Sequence, residues 1–253
     1  MVTFTEAQLI AWLTPLLWPF IRALALLASL PVFSQRAVPN RVKIGLAAFI
    51  AIAAQPSLPT FAVVPLDTPA AAMLVVQQVL VGVLLGFAVR VVFAAVELAG
   101  ELIGLQMGLN FAGFFDPATA SQGTASGRFF NTMVAFLFVI VNGHLAVIAA
   151  LVRSFEVFSV GQEPFAFLRQ LQPQTWGTEL FALGLWIALP LIGMLIFVNL
   201  VLGLISRVAP QINIFAIGFP LTLAIGLIGI LLTLPLMEQP VTLALERMLG
   251  RFQ

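Results

Sequence analysis

The chain is 253 residues long, 61% hydrophobic and 8% charged, where an ordinary soluble domain is roughly 25% charged. A soluble domain of this size would show about 11,000 Å² of surface, leaving one charge per roughly 500 Å², and apolar patches beyond about 400 Å² drive association. Water is therefore excluded as the main solvent, which leaves a membrane protein or a subunit buried in an apolar assembly. Eleven basic and ten acidic residues balance to +1, which offers no footprint for nucleic acid. The absence of cysteine removes disulfides, thiolate metal sites and cysteine nucleophiles.

Six apolar blocks stand near the roughly 20 residues needed to cross a bilayer: 9–32, 42–64, 70–109, 129–152, 180–205 and 212–237. They predict an all-α polytopic membrane protein forming one domain over 1–253. The first twenty residues hold no Lys or Arg but do hold Glu6, which argues against a cleaved signal peptide. The first block carries Pro15, Pro19 and Arg22. Pro56 and Pro59 interrupt the second, so its helix should end near Ala54.

Thr68-Pro69 opens the third block with a capping hydroxyl and a proline at the first helical position. A continuous helix from there to Leu109 would run about 60 Å, roughly twice the hydrocarbon thickness. Either the chain turns back near Arg90, or one long helix is sheltered by protein. Asn142-Gly143-His144 breaks the fourth block, giving half-helices at 129–141 and 145–152. The fifth and sixth blocks form a hairpin around 206–211, with kinks expected at Pro190, Pro220 and Pro235. The short amphipathic stretch 164–171 suits a membrane interface. After Pro240, Val241, Leu245, Met248, Leu249 and Phe252 share one helical face, as in a surface-lying or partner-docking helix. With the amino terminus outside, Arg36, Arg41 and Lys43, then Arg128, then Arg207 lie on the cytoplasmic side.

Catalytic chemistry finds little support. The single His144 lacks the partners of a metal site, a lone histidine here reads as structural, and neither GxSxG, GxxxxGK[ST] nor GxGxxG occurs. No catalytic residue, metal or cofactor is expected. Glu97 and Glu101, one turn apart, could relay protons or cations; the plainer reading pairs them with Arg or backbone donors of a neighbouring subunit. Arg22, Arg90, Glu97, Asn131 and Asn199 sit in apolar blocks and should need such partners. Gly82 and Gly86 form one GxxxG; Gly100, Gly104 and Gly108 form a double one, where another helix backbone should pass closely. The Gly-, Ala-, Ser- and Thr-rich connection 110–128 holds Phe111, Phe114 and Phe115. Such rings either gate by dewetting or rest at headgroup level. Gly108 and Gly113 would let the connection swing.

Four stretches together carry a resemblance. They are Pro31-Val-Phe-Ser-Gln35-Arg36-Ala-Val-Pro39 with Arg41-Val-Lys43-Ile-Gly-Leu-Ala; Gly100-Glu-Leu-Ile-Gly-Leu-Gln106-Met107-Gly108 leading to Phe111 and Asp116-Pro117; Asn142-Gly-His144; and Arg207-Val-Ala-Pro210-Gln211-Ile-Asn213-Ile-Phe-Ala-Ile-Gly218-Phe-Pro220. In order, spacing and total length the chain resembles the FliR family of flagellar export-gate proteins, whose counterpart serves virulence-type III secretion. Gln35 departs from the family, which often has an acidic residue or serine before the arginine.

The resemblance implies a non-enzymatic subunit of a gate built with FliP- and FliQ-like proteins, with an FlhB-like protein associated, in the bacterial inner membrane at the flagellar basal body. Unfolded flagellar proteins would pass through it. It implies a channel plug involving Gln106, Met107, Gly108, Phe111 and Phe114, with Phe115 a neighbour. Gly100, Gly104, Glu97, Glu101, Arg36 and Arg207 are expected to serve helix packing and assembly, with lipid around the whole. The competing class is an ion-coupled or solute transporter using Glu97, Glu101 and the broken fourth block.

Overall fold

Apolar runs of this length satisfy their backbone in hydrocarbon only as helix, and among the described residues no strand occurs. The computed structural model describes residues 6–34, 38–61, 68–109, 124–161, 165–211 and 213–253. The helices are α1 (Glu6–Ser29), α2 (Asn40–Ala54), α3 (Pro69–Gln106), α4 (Ala125–Ile140), α5 (Gly143–Val157), α6 (Ala166–Leu171), α7 (Trp176–Val208), α8 (Ile214–Thr233) and α9 (Glu238–Leu249). By length and composition Pro69–Gln106, Ala166–Val208 and Ala216–Phe252 can each cross a membrane. The broken pair Ala125–Ile140 and Gly143–Val157 can supply a fourth crossing.

Local chemistry sets the boundaries. The prolines after Ala54 stop α2 where expected. Nothing interrupts α3, whose 38 residues span about 57 Å at 1.5 Å per residue; the chain does not turn back at Arg90. Asn142 takes the left-handed conformation (φ 56, ψ 30) that ends α4 and lets α5 begin at Gly143, a geometry asparagine tolerates better than most residues. Both half-helices run longer than expected. Thr124 caps α4 early by accepting from Gly127 N at 3.0 Å, and α5 continues to Val157. Pro190 and Pro220 lie inside α7 and α8, while Pro235 falls in the 3₁₀ turn Leu234–Met237 that follows α8.

The chain forms two compact units. The first comprises Met1–Val91, Asn142–Trp176 and Leu245–Gln253. Here α1 and α2 pack together, and Trp18, Leu74 and Phe155 form a core flanked by Ile21, Leu58, Phe61 and Val160. A second aromatic layer joins Phe158 to Phe167 and Phe252, and Phe252 to Trp176. At the centre is Arg22, fully buried. Its Nε donates to Gln78 Oε1 at 2.8 Å, one Nη to Ser154 Oγ at 2.8 Å and the other to the Phe158 carbonyl at 3.0 Å. Its guanidinium lies 3.6 Å over the Phe155 ring, so one side chain ties α1, α3 and α5. The expectation that Arg22 needs another subunit is corrected, because the chain satisfies it internally.

The second unit comprises Val92–Val141 and Gly177–Ala244. The rest of α3, α4, α7 and α8 meet here through small residues: a Cβ on Gly184 would stand 2.9 Å from the Ala95 carbonyl, and one on Gly229 2.6 Å from Met194 Cε. Phe93 and Phe138 meet edge-on at 5.7 Å. Two further expectations change. Val241, Leu245, Met248, Leu249 and Phe252 are each at most 4% exposed, so the tail's apolar face is covered by this chain and is not left for a partner. The apolar side of α6, Phe167 and Leu171, is likewise buried.

Candidate functional site

The conspicuous arrangement is an antiparallel ladder between the end of α3 and the start of α4. Four positions on α3 at helical spacing, 97, 100, 101 and 104, meet 131, 130, 127 and 126 on α4. Asn131 Nδ2 donates to Glu97 Oε2 at 2.7 Å. A Cβ on Gly100 would lie 2.6 Å from the Phe130 ring, and one on Gly127 2.8 Å from Glu101 Cγ; one on Gly104 would collide with the Ser126 hydroxyl. Each rung pairs a small or polar residue with its complement, and hydrogen bonds to carboxylates are worth about 1.5–3 kcal/mol.

This corrects two expectations. Glu97 finds its donor on α4 of the same chain rather than on an Arg or backbone group of a neighbour, and it holds Asn131 in turn. The double GxxxG meets side chains, Phe130 and Ser126, rather than a passing backbone. Backbone contact belongs to the single motif: a Cβ on Gly82 would strike the Arg22 carbonyl and lie 3.1 Å from Leu26 N. Gly86 faces the Ser29 hydroxyl.

At its carboxyl end α3 closes with a double hydrogen bond. Leu109 N donates to the Gly104 carbonyl at 3.0 Å and Gly108 N to that of Leu105 at 3.1 Å, with Gly108 at φ 81. That is the Schellman stop, for which glycine is suited because a Cβ would clash. Gly108 is thus held as a helix terminator rather than left as a loop hinge. Met107 is fully buried, its Sδ 2.7 Å from where a Cβ on Gly226 would stand. Gln106, the last residue of α3, is half-buried. An apolar cavity of about 340 Å³ opens beside this end, lined by Met107, Leu109, Ser126, Phe129, Ile230 and Leu234 among others.

The remaining expected residues are placed as follows. Arg207 is exposed in the last turn of α7, where a cation complements the helix macrodipole. Arg36, Phe111, Phe114, Phe115 and Gly113 lie outside the described residues. His144 is half-buried, and its Nδ1 has no hydrogen-bond partner. Among the described residues no group of His, Asp or Glu is placed to hold a metal.

Sequence reasoning missed the α4 side of the ladder. Ser126 and Gly127 read as loop composition, although Ser126–Phe130 and Gly127–Asn131 repeat the four-residue spacing of Gly100–Gly104 and Glu97–Glu101. What the ladder can do is mechanical: it holds both ends of the phenylalanine-bearing connection, at Leu109 and Thr124, on rigid helices.

Comparison with known proteins adds identity to geometry. Residues 13–248 match the family described as bacterial export proteins, family 1. The flagellar biosynthetic protein FliR of Pectobacterium carotovorum is 43% identical over 236 residues, covering 93% of this chain and 90% of that protein. That of Escherichia coli K12 is 46% identical over 227 residues, covering 90% and 87%. The Bacillus subtilis counterpart is 31% identical over 216 residues, covering 83% and 82%.

Proposed function

The chain belongs to the FliR family of bacterial export proteins, and from that premise we propose how it works as a subunit of the flagellar type III protein export gate. It is membrane-embedded and acts in company with other export proteins. In our reading the membrane is the bacterial inner membrane at the flagellar basal body, and the partners are FliP-like and FliQ-like subunits with an FlhB-like protein. The cargo is unfolded flagellar protein. The chain contributes no catalysis; energy comes from those partners.

Phe111, Phe114 and Phe115 supply the bulk of the plug, and Gln106, Met107 and Gly108 anchor its amino-terminal end. The supporting observation is the Schellman stop at Gly108 beside a Met107 locked on Gly226. A channel wide enough for an unfolded chain must exclude ions when idle. Charge would attract one ion sign, whereas apolar rings exclude wetted ions altogether. A seal needs fixed anchors, and the ladder provides them on both sides of the aromatic stretch. Gly100, Gly104, Glu97 and Glu101 serve that frame, with Arg36 and Arg207 at assembly surfaces.

An ion-coupled or solute transporter is not favoured, since Glu97 is engaged by Asn131. The test is purification of the tagged chain in mild detergent from flagellated cells, with export scored in cells lacking the gene. Recovery of the named partners and restored export support the reading; recovery of the chain alone, with export unchanged by its loss, contradicts it.

A further inference from the structure

Arg22, Arg90, Glu97, Asn131 and Asn199 each stand in an apolar run of the sequence, and the fold accounts for four of them. Arg22 is held by Gln78, Ser154 and the Phe158 carbonyl, Asn131 donates to Glu97, and Arg90 donates to Ser34. Asn199 is the exception. It lies exposed on α7, and among the described residues its amide has no hydrogen-bond partner. Residues 191–198 before it and 200–205 after it offer no polar side chain. The helix that carries it is long and apolar enough to cross a membrane.

Three surroundings can meet that amide. Hydrocarbon offers it neither donor nor acceptor, so lipid leaves its desolvation uncompensated. Water needs a wettable wall, and the exposed neighbours of Asn199 on α7, Ile196, Phe197, Leu200, Val201 and Leu204, are all apolar. Protein remains. At hydrocarbon depth a partner satisfies its own backbone as helix and can bring a side-chain donor or acceptor to the amide. The surface beside Asn199 admits one. Gly203 lies one turn further along α7, and Ile192 and Ile196 continue the same stripe at helical spacing. A Cβ on Gly203 would meet nothing within 4 Å, so a second helix backbone can come close there.

We propose that the stripe of Ile192, Ile196, Asn199 and Gly203 on α7 seats a membrane-spanning helix of another subunit, whose amide, hydroxyl or carboxyl side chain bonds Asn199. That the subunit is an export protein rests on the gate reading; that Asn199 needs a helix from outside this chain does not.

The experiment uses the whole complex purified from membranes, with photoreactive benzoylphenylalanine in place of Ile196. Irradiation should join the chain to an apolar spanning segment of a co-purified export protein, located by peptide mass spectrometry. Asn199→Leu should weaken retention of that partner about 3- to 20-fold, the worth of an interhelical hydrogen bond in a membrane, and Asn199→Gln should recover part of the loss. Gly203→Leu should release the partner as well. The unfolding temperature of the chain alone should not fall in Asn199→Leu, because the amide bonds nothing in its own chain. A fall there would make Asn199 part of this chain's own fold and overturn the proposal. So would crosslinks to lipid alone or to a second copy of this chain, or unchanged partner retention in Asn199→Leu. Any of these in an intact complex of export subunits sinks the docking surface and leaves the gate reading standing. A crosslinked helix from a membrane protein outside the export apparatus does the reverse.

Discussion

Asn131 donates to the Glu97 carboxylate at 2.7 Å across α3 and α4, so each of these polar side chains has a partner within its own chain. A carboxylate on an apolar helix is costly when unpaired, and a half-buried amide costs about 1–3 kcal/mol when stranded. Asn131→Leu should therefore lower stability by about 1.5–3 kcal/mol, and Asn131→Asp by more, because it sets two carboxylates face to face. Thermal unfolding of the purified gate complex measures both. Wild-type stability in both variants would show that the bond carries nothing.

Gly104 and Ser126 make a test by exchange. Gly104→Ala drives a methyl into the Ser126 hydroxyl and should cost about 1–3 kcal/mol, the usual range for overpacking; Gly104→Leu should abolish complex formation and export. Ser126→Gly vacates the space. The double variant Gly104→Ala/Ser126→Gly should then recover complex yield lost in Gly104→Ala. Additive losses would mean the two residues do not meet in the assembled protein.

Backbone contacts forgive less than side-chain contacts. A Cβ on Gly82 meets the Arg22 carbonyl, which cannot rotate away, whereas Gly193 in α7 has nothing within 4 Å. Gly82→Ala should reduce the yield of folded chain sharply. Gly193→Ala should hold or gain stability by about 0.5–1 kcal/mol through helix propensity. Detergent-solubilised yield and unfolding temperature of the chain alone decide the contrast. Similar behaviour of the two variants would refute the close α1–α3 crossing.

Gly108 separates a helix stop from a hinge. Its φ of 81 is open to asparagine at small cost but closed to a β-branched residue. Gly108→Asn should support near-normal motility, and Gly108→Val should not. If any flexible residue were the requirement, Asn would fail as well.

Much of the helical layout is legible in the sequence because each boundary has a local cause. Pro56 and Pro59 end α2, and Asn142-Gly143 breaks α4 from α5. The tail's apolar residues recur at helical spacing whether the face they form meets lipid, a partner or this chain. That last ambiguity is why the tail reads as a docking surface until its own chain is seen to cover it. The ladder is illegible for the same reason. Spacing says that Gly104 faces something close, but not whether it is a backbone or Ser126 Oγ. Arg22 looks stranded only while Gln78, Ser154 and Phe158, up to 136 residues away, are not known to converge on it. Single glycines such as Gly184 and Gly226 carry no pattern at all.

The plug is tested by ion conductance across membranes overproducing a gate that carries Phe111→Ala and Phe114→Ala together, with complex yield taken from the same cells. Wild-type yield with raised conductance and slowed growth is expected, because the anchors at Met107 and Gly108 are untouched while the apolar bulk is gone. A reduced yield with no leak would make these rings anchors to lipid or to a neighbouring helix. Normal conductance through a fully assembled complex would contradict the plug outright.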